Sequence, residues 1–377
     1  MDLSLTPAET SFRDEVRDWL AANHPGPEPT DAEGGVDHRL RWQRTMFEAG
    51  YAGISWPREH GGRGATLMQQ AIFNEELVRA KAPQPANIIG LVMGGPVIIA
   101  HGSEEQRARF LAPILTGDEV WCQGFSEPNA GSDLAALTTR AVRDDGGWKV
   151  SGQKVWTSFA HRAKWCMLLA RTGGEQRHRN LTFFICDMKQ PGVEVRPLRQ
   201  ATGDSEFNEI FFDNATVPDE NVIGETGDGW NVAITTLMFE RSGLSAASAL
   251  TIQLKLDELA SLIRERGRQD DITLRRRLSA LVVATETMRL NGYRGLSRVI
   301  ERGVPGPEGS IAKIQWADIN QRVGELAMDV LGGDALIADP VWTQWMLRAR
   351  ANSIEGGTSE IQRNILAERV LELPRMR

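Results

Sequence analysis

Residues Trp121 to Asp133 read WCQGFSEPNAGSD. The stretch begins as a short apolar strand and dissolves into proline and small residues. Pro128 fixes one backbone angle, and Ala130, Gly131 and Ser132 leave nearby N–H groups uncovered. Such loops hold anions or polar rings through main-chain donors, although an ordinary surface turn has the same make-up. Further on, Lys154-Val155-Trp156-Thr157-Ser158 offers an indole and a hydroxyl. The two share one face if the segment is a strand.

The surroundings of these runs decide the fold class. From about residue 119 to residue 222, strand-like segments alternate with turns. Leu137 to Val142 leads into Asp144-Asp145-Gly146-Gly147, then Trp148-Lys149-Val150, Ser151-Gly152 and Lys154-Val155-Trp156, which is hairpin grammar. Cys166 to Ala170, Leu181 to Ile185 and Ile210 to Phe212 are further strands. Before this region the texture is helical. Thr6-Pro7 is a start signal, Phe12, Val16 and Leu20 recur every four residues, and Leu67 to Arg79, Asn87 to Ala100 and Glu104 to Leu115 continue the style. Helical periodicity returns after Gly229 and lasts to the end. The expected architecture is mainly α with a central β domain. Residues 1–118 form a helical domain, 119–226 a small β barrel-like domain, and 227–377 a helical bundle. Strands and helices do not alternate, which disfavours a parallel Rossmann sheet.

Composition narrows the function. A chain of 377 residues with net charge −7 lacks the basic balance of a general nucleic-acid binder. MDLSLTPAE is acidic without an apolar core, so no secretory leader is expected, and no apolar run is long enough for a bilayer. Cys122, Cys166 and Cys186 are scattered and odd in number, which fits buried strand residues in a reducing cytoplasm. The six histidines show no HxxxH, and CxxC and GxSxG are absent, so neither a zinc site nor a serine hydrolase is expected. GETGDGW at 224–230 lacks the lysine of a phosphate loop and reads as a domain joint.

WCQGFSEPNAGSD, then SGQKVWTS, then a C-terminal GGTSEIQR together resemble the acyl-CoA dehydrogenase family, in order and separation, across essentially the whole chain. The resemblance implies an N-terminal α domain, a central β barrel-like domain and a C-terminal four-helix bundle. It implies FAD, α,β-dehydrogenation of an acyl-CoA thioester, and a place in fatty acid or lipid metabolism. A glutamate removes the α-proton and the β-hydride passes to the flavin. Gln123, Phe125 and Ser126 match the strand along the flavin. Gly131 and Ser132 match a loop near the flavin and the CoA chain. Trp156 matches an indole beside the flavin ring, and a core tryptophan satisfies the same position. Ser158 matches a hydroxyl near the reactive nitrogen. Thr358 and Glu360 match positions near the adenosine-diphosphate part. An electron-transfer flavoprotein or similar acceptor, a homo-tetramer or dimer, and a cytoplasmic location are the partners and setting implied.

The base is the open point. In many family members it directly precedes Gly-Thr, where this chain has Gly356, and Glu355 stands one residue early. In isovaleryl- and long-chain-type members it lies on a bundle helix just before an arginine. Leu237-Met238-Phe239-Glu240-Arg241 matches that place, so Glu240 is the expected base and Arg241 anchors the bundle or contacts CoA. A helix-surface ion pair is the plain alternative for Glu240. Gly356 keeps the backbone N–H that would donate to the thioester oxygen. Ser359 and Gln362 are spaced as a capping box.

Some motifs depart from the family. The Arg-x-Gln-Phe-Gly segment is replaced by RERGRQDD at 264–271, where Arg268 is the candidate pyrophosphate contact and a solvated charge run is the alternative. Leu331-Gly332-Gly333-Asp334 matches a glycine turn near a neighbour's FAD, with Asp329 replacing a glutamine. These departures leave room for a heteromeric dehydrogenase, for a non-catalytic partner subunit, or for a flavin oxidase or monooxygenase on the same fold. Ile88, Ile89, Leu91, Val92 and Met93 lie where the family's acyl tail runs. Gly90, Gly94 and Gly95 either make room for a long, branched or ring-bearing chain or let a helix pack.

Overall fold

A computed structural model describes residues 4–29, 32–173, 176–242, 246–302, 306–307, 309–337 and 340–374. The helices α1 (Pro7–Asn23), α2 (Ala32–Glu48), α3 (Leu67–Arg79), α4 (Gly95–His101) and α5 (Glu104–Thr116) come first. The strands β1 (Trp121–Gly124), β2 (Arg140–Asp144), β3 (Gly147–Ser158), β4 (Trp165–Arg171), β5 (Leu181–Asp187), β6 (Val193–Pro197), β7 (Phe207–Pro218) and β8 (Val222–Ile223) follow. The helices α6 (Gly229–Ser242), α7 (Ala246–Glu265), α8 (Ile272–Arg302), α9 (Gly309–Leu331), α10 (Pro340–Ala349) and α11 (Ser359–Arg369) complete the chain. This is the expected helical, β, helical order. The chain divides into two compact units: Met1–Ala22, Leu67–Lys81 and Arg241–Arg377 in the first, Asn23–Thr66 and Ala82–Glu240 in the second.

In the first unit, α7, α8, α9 and α10 pack through Leu256, Leu259, Leu281, Val323, Leu326 and Trp342. Two polar contacts fix the earlier helices. Arg17 grips Glu76 with two nitrogens, at 2.7 and 3.1 Å, and so joins α1 to α3. The Tyr293 hydroxyl donates to Glu75 at 2.5 Å and joins α8 to α3. At the chain start, the Thr6 amide donates to the Glu9 carboxylate and the Glu9 amide to the Thr6 hydroxyl, a reciprocal cap that stops the first turn from fraying.

The second unit is built on an eight-stranded sheet in the order β6-β7-β3-β2-β4-β5-β8, with β1 parallel to β4. Cys122, Cys166 and Cys186 sit in register on β1, β4 and β5, all buried and free. They are core residues, and burial pushes the Cys166 thiol well up, away from the thiolate that a nucleophile needs. A capping box at Ser103 and Gln106 starts α5. Gln106 then donates to the carbonyls of Glu220 and Val222, both at 2.7 Å, tying that helix to the end of the sheet.

Two strand expectations change. Ser151-Gly152 is not a hairpin turn, because β3 runs straight through it as one twelve-residue strand with a register shift between Val150 and Gly152. Gly152 adopts φ +150°, and a Cβ there would lie 2.6 Å from the Thr139 hydroxyl, so glycine absorbs a bulge rather than a reversal. The strand expected from Leu137 starts only at Arg140. The amides of Thr138 and Thr139 donate instead to the Glu127 carboxylate, at 2.6 and 2.9 Å, and so leave the ladder.

The helix expected over residues 87–100 forms with a π-turn at Gly90–Gly94. Its glycines are packing residues and create no room. A Cβ on Gly90 would lie 2.5 Å from the Asn87 side chain, and one on Gly95 would lie 2.0 Å from the Trp56 ring. Wide rings and a buried amide press on this backbone, which explains why the positions are small.

Candidate active site

The second unit brings the two opening motifs together. Asn87 accepts from the Trp121 amide at 2.8 Å and so sets where β1 begins. Beyond β1, the Ser126 carbonyl accepts from the Val155 amide at 2.9 Å. The loop after β1 is therefore stitched to the middle of β3. Glu127 and Ala130 exchange backbone hydrogen bonds of 3.0 and 3.1 Å, which closes the EPNA turn and leaves Gly131 and Ser132 exposed beyond it.

At this stitch β3 loses register with β7, between Lys154 and Thr157. Trp156 takes φ +61° and is 62% exposed. A bulky residue in that region of backbone space is strained, and such strain clusters at functional sites. Its ring meets Phe207 edge-on, with centroids 6.1 Å apart. The simple alternation that would put Trp156 and Ser158 on one strand face does not hold, since the bulge intervenes; Ser158 is half-buried. Phe125 directs its ring into the core, 5.8 Å from Phe183 and edge-on, so its backbone is what the loop presents.

Two polar atoms here are buried and have no hydrogen-bond partner among the described residues: Nε2 of Gln123 and Oγ1 of Thr157. A buried donor left unmade costs about 1–3 kcal/mol, so a polar ligand that reached these two atoms would be favoured. An exposed aromatic face, a loop rich in main-chain donors and two unpaired polar atoms suit a flat heteroaromatic cofactor such as the flavin of FAD.

Charge holds the stitch together, a feature that no motif in the chain announces. The Lys154 ammonium is fully buried and donates to the Phe125 carbonyl and to Glu127, each at 2.9 Å. The Glu127 carboxylate also accepts from the Thr138 amide and hydroxyl and the Thr139 amide. Burial pushes the Glu127 carboxyl up, but the Lys154 charge and these donors more than reverse it and hold it at about 2. Burial likewise pushes the Lys154 ammonium down, against the pull of Glu127. The pair is distant in sequence and neither residue sits in a spacing that announces a partner.

The first unit carries the other candidates in two places. At the C-terminal joint, Gly356 and Gly357 have φ +63° and +85°. Thr358 is the N-cap of α11, its hydroxyl accepting from the Ile361 amide at 3.2 Å. The capping box expected from Ser359 and Gln362 is absent because the cap falls one residue earlier. Gln362 instead donates to the Gly356 carbonyl at 2.8 Å. Glu360 is exposed and pairs with Arg363 at 3.4 Å. Glu355 is bound on both oxygens by Arg348, at 3.0 and 2.8 Å, and by Asn352 at 2.6 Å.

The second place is the end of α9. Arg268 donates to the Asp329 carbonyl and to the Asp271 carboxylate, both at 2.8 Å, so two of its donors are engaged within the protein. Asp329 is neutralised by Arg277. Gly333 follows in an exposed turn. The structure thus gathers Arg268 and Gly333 at one helix end. Glu240 and Arg241 belong to α6, and their side chains lie outside the described residues.

Comparison with known proteins bears on the family and the fold. Residues 6–118 match the family described as acyl-CoA dehydrogenase, N-terminal domain, residues 122–215 its middle domain, and residues 227–371 its C-terminal domain. Acyl-CoA dehydrogenase IpdE1 of Mycobacterium tuberculosis is 41% identical over 378 residues, covering 97% of each chain. The Tcur3481-Tcur3483 steroid ACAD superposes with a TM-score of 0.86 at 26% identity, over 100% of both chains. The ChsE4-ChsE5 complex from Mycobacterium tuberculosis gives 0.85 at 28% identity, again over 100% of both.

Proposed function

The chain belongs to the acyl-CoA dehydrogenase family, whose reaction is the α,β-dehydrogenation of an acyl-CoA thioester, and we propose that it does so with FAD and with Glu240 as the base. The observation that carries the FAD reading is the stitch between Ser126 and Val155. It joins the loop that matches the flavin strand of the family to the residue just before the exposed Trp156. Gln123, Ser126 and Ser158 would hold the polar edge of the ring system, with Phe125 contributing backbone. Gly131 and Ser132 would face the CoA chain, and Thr358, Glu360, Arg268 and Gly333 the rest of the dinucleotide. FAD when bound supplies the acceptor for the β-hydride.

Removal of an α-proton needs an unencumbered carboxylate in a partly desolvated place. Glu355 is committed to Arg348 and Asn352, which supports Glu240 over it. Gly356 would donate its N–H to the thioester oxygen, where negative charge develops, and Arg241 would serve the bundle or CoA. We assign the acyl group to the ring-bearing class, supported by the likeness to a steroid ACAD. An electron-transfer flavoprotein is the acceptor we propose, and the cytoplasm the location; no described helix is long and apolar enough to cross a membrane.

A second reading has its own support. Arg268 is engaged inside its own chain, and a solved structural neighbour is a ChsE4-ChsE5 complex. A heteromeric enzyme in which a paralogue completes part of the dinucleotide site fits both facts. One experiment separates the readings. The chain is purified alone and its FAD content measured. It is then mixed anaerobically with straight, branched and steroid-ring acyl-CoAs while flavin bleaching is followed. A yellow protein near one FAD per chain, bleached by the ring-bearing thioester, supports a self-sufficient enzyme. A colourless chain that gains flavin only with a co-expressed paralogue supports the heteromer. Near-normal bleaching in Glu240→Gln removes Glu240 as the base.

A further inference from the structure

Three consecutive residues of the loop after β1 are held by one short piece of β3. The Phe125 carbonyl takes the Lys154 ammonium, and the Ser126 carbonyl takes the Val155 amide. The Glu127 carboxylate takes Lys154 again, together with the Thr138 and Thr139 donors. Trp156 follows immediately, at the point where β3 leaves register with β7. No ladder bond to β7 is available to orient it there.

A buried ion pair is a poor way to gain stability. Desolvation of both charges cancels most of their attraction, and apolar side chains of similar volume serve as well or better. What such a pair supplies that a hydrocarbon contact cannot is a fixed polar geometry. An ammonium demands its acceptors near 2.9 Å, and a carboxylate with four donors has little freedom to rotate.

We propose that Lys154 and Glu127 are positioning residues for the cofactor site: their buried pair fixes the distance between the 125–127 backbone and the Trp156 indole. This rests on the FAD reading above. The pair touches neither substrate nor the reacting atoms. It acts through Phe125, Ser126 and Trp156.

The test compares the holoenzyme with Lys154→Met and with the double variant Glu127→Gln/Lys154→Met. The single variant leaves a buried carboxylate unpaired and is expected to be unstable. The double variant carries no buried charge; its one amide oxygen still accepts from the Thr138 amide and hydroxyl, while the Thr139 amide and the Phe125 carbonyl lose their bonds to this pair. Melting temperature, FAD dissociation constant and the visible circular dichroism of bound flavin are read for each. The expected result is a double variant that melts within a few degrees of the unsubstituted enzyme, binds FAD at least tenfold more weakly, and shows an altered flavin dichroism. Wild-type affinity and dichroism in a folded double variant would overturn the proposal, since the pair would then be structural alone. Failure of the double variant to fold would overturn it as well, because the pair would be a folding requirement. If the unsubstituted chain takes up no FAD, with or without a paralogue, the FAD reading itself fails, and that outcome is seen before any variant is made.

Discussion

Arg348 holds both carboxylate oxygens of Glu355, at 3.0 and 2.8 Å, and Asn352 donates a third bond at 2.6 Å. The residue that looks like a displaced base in the sequence is thereby a bracket between α10 and the glycine joint. Glu355→Gln is expected to leave the rate of anaerobic flavin reduction within about threefold of normal. It should lower stability by about 1 kcal/mol, in keeping with a pair open to solvent on one side. A loss of reduction by two orders of magnitude, with the fold intact, would return the base to this joint.

The Glu127 carboxyl sits at about 2 in the fold, against an ordinary value of 4.5. A depressed carboxyl contributes stability that is full above its unfolded value and is lost as pH falls through the folded one. The unsubstituted protein should therefore lose stability between about pH 5 and pH 2 in part through this group. Glu127→Gln removes that titration and leaves Lys154 without its counter-charge. It is expected to lower stability at pH 7 by about 3 kcal/mol and to flatten the acid limb. Melting temperatures of both proteins from pH 7 to pH 3 check this; parallel acid limbs would contradict it.

Trp156 combines φ +61° with 62% exposure. Its backbone conformation is disfavoured for a bulky residue and free for glycine. Trp156→Gly should change the stability of flavin-stripped protein by no more than about 1 kcal/mol, since relieved strain offsets the lost contact with Phe207. FAD affinity should fall at least tenfold. A large drop in stability without loss of affinity would mark Trp156 as a packing residue only.

Gly95 lies where a methyl group would come 2.0 Å from the Trp56 ring. Gly95→Ala is expected to destabilise the protein by about 2–3 kcal/mol through overpacking. The order of preference among acyl-CoA substrates should stay the same, because the missing side chain serves the helix and not the acyl tail. A reordered preference at unchanged stability would restore the substrate role.

The order of elements was legible in the sequence because it rests on local rules. Phe12, Val16 and Leu20 repeat at helical spacing and are buried on α1. Thr6-Pro7 reads as a helix start, and Thr6 caps α1 through Glu9. The strand runs of residues 166–170 and 181–185 are continuous, apolar and buried. Similarity of three motifs to a family then pointed to the chemistry, since each motif survives as a contiguous string. Tertiary structure decided what depends on partners far apart in the chain. Lys154 reads as one polar residue in a strand and Glu127 as one acid in a loop. Only folding brings them within 2.9 Å and makes them the clamp of the site. Likewise Glu355 becomes a bracket once Arg348 and Asn352 meet it, and Gly152 a bulge once Thr139 lies against it. Sequence patterning fixes what a residue's neighbours along the chain require. The identity of a buried charge's partner is set by packing, which a one-dimensional pattern does not contain.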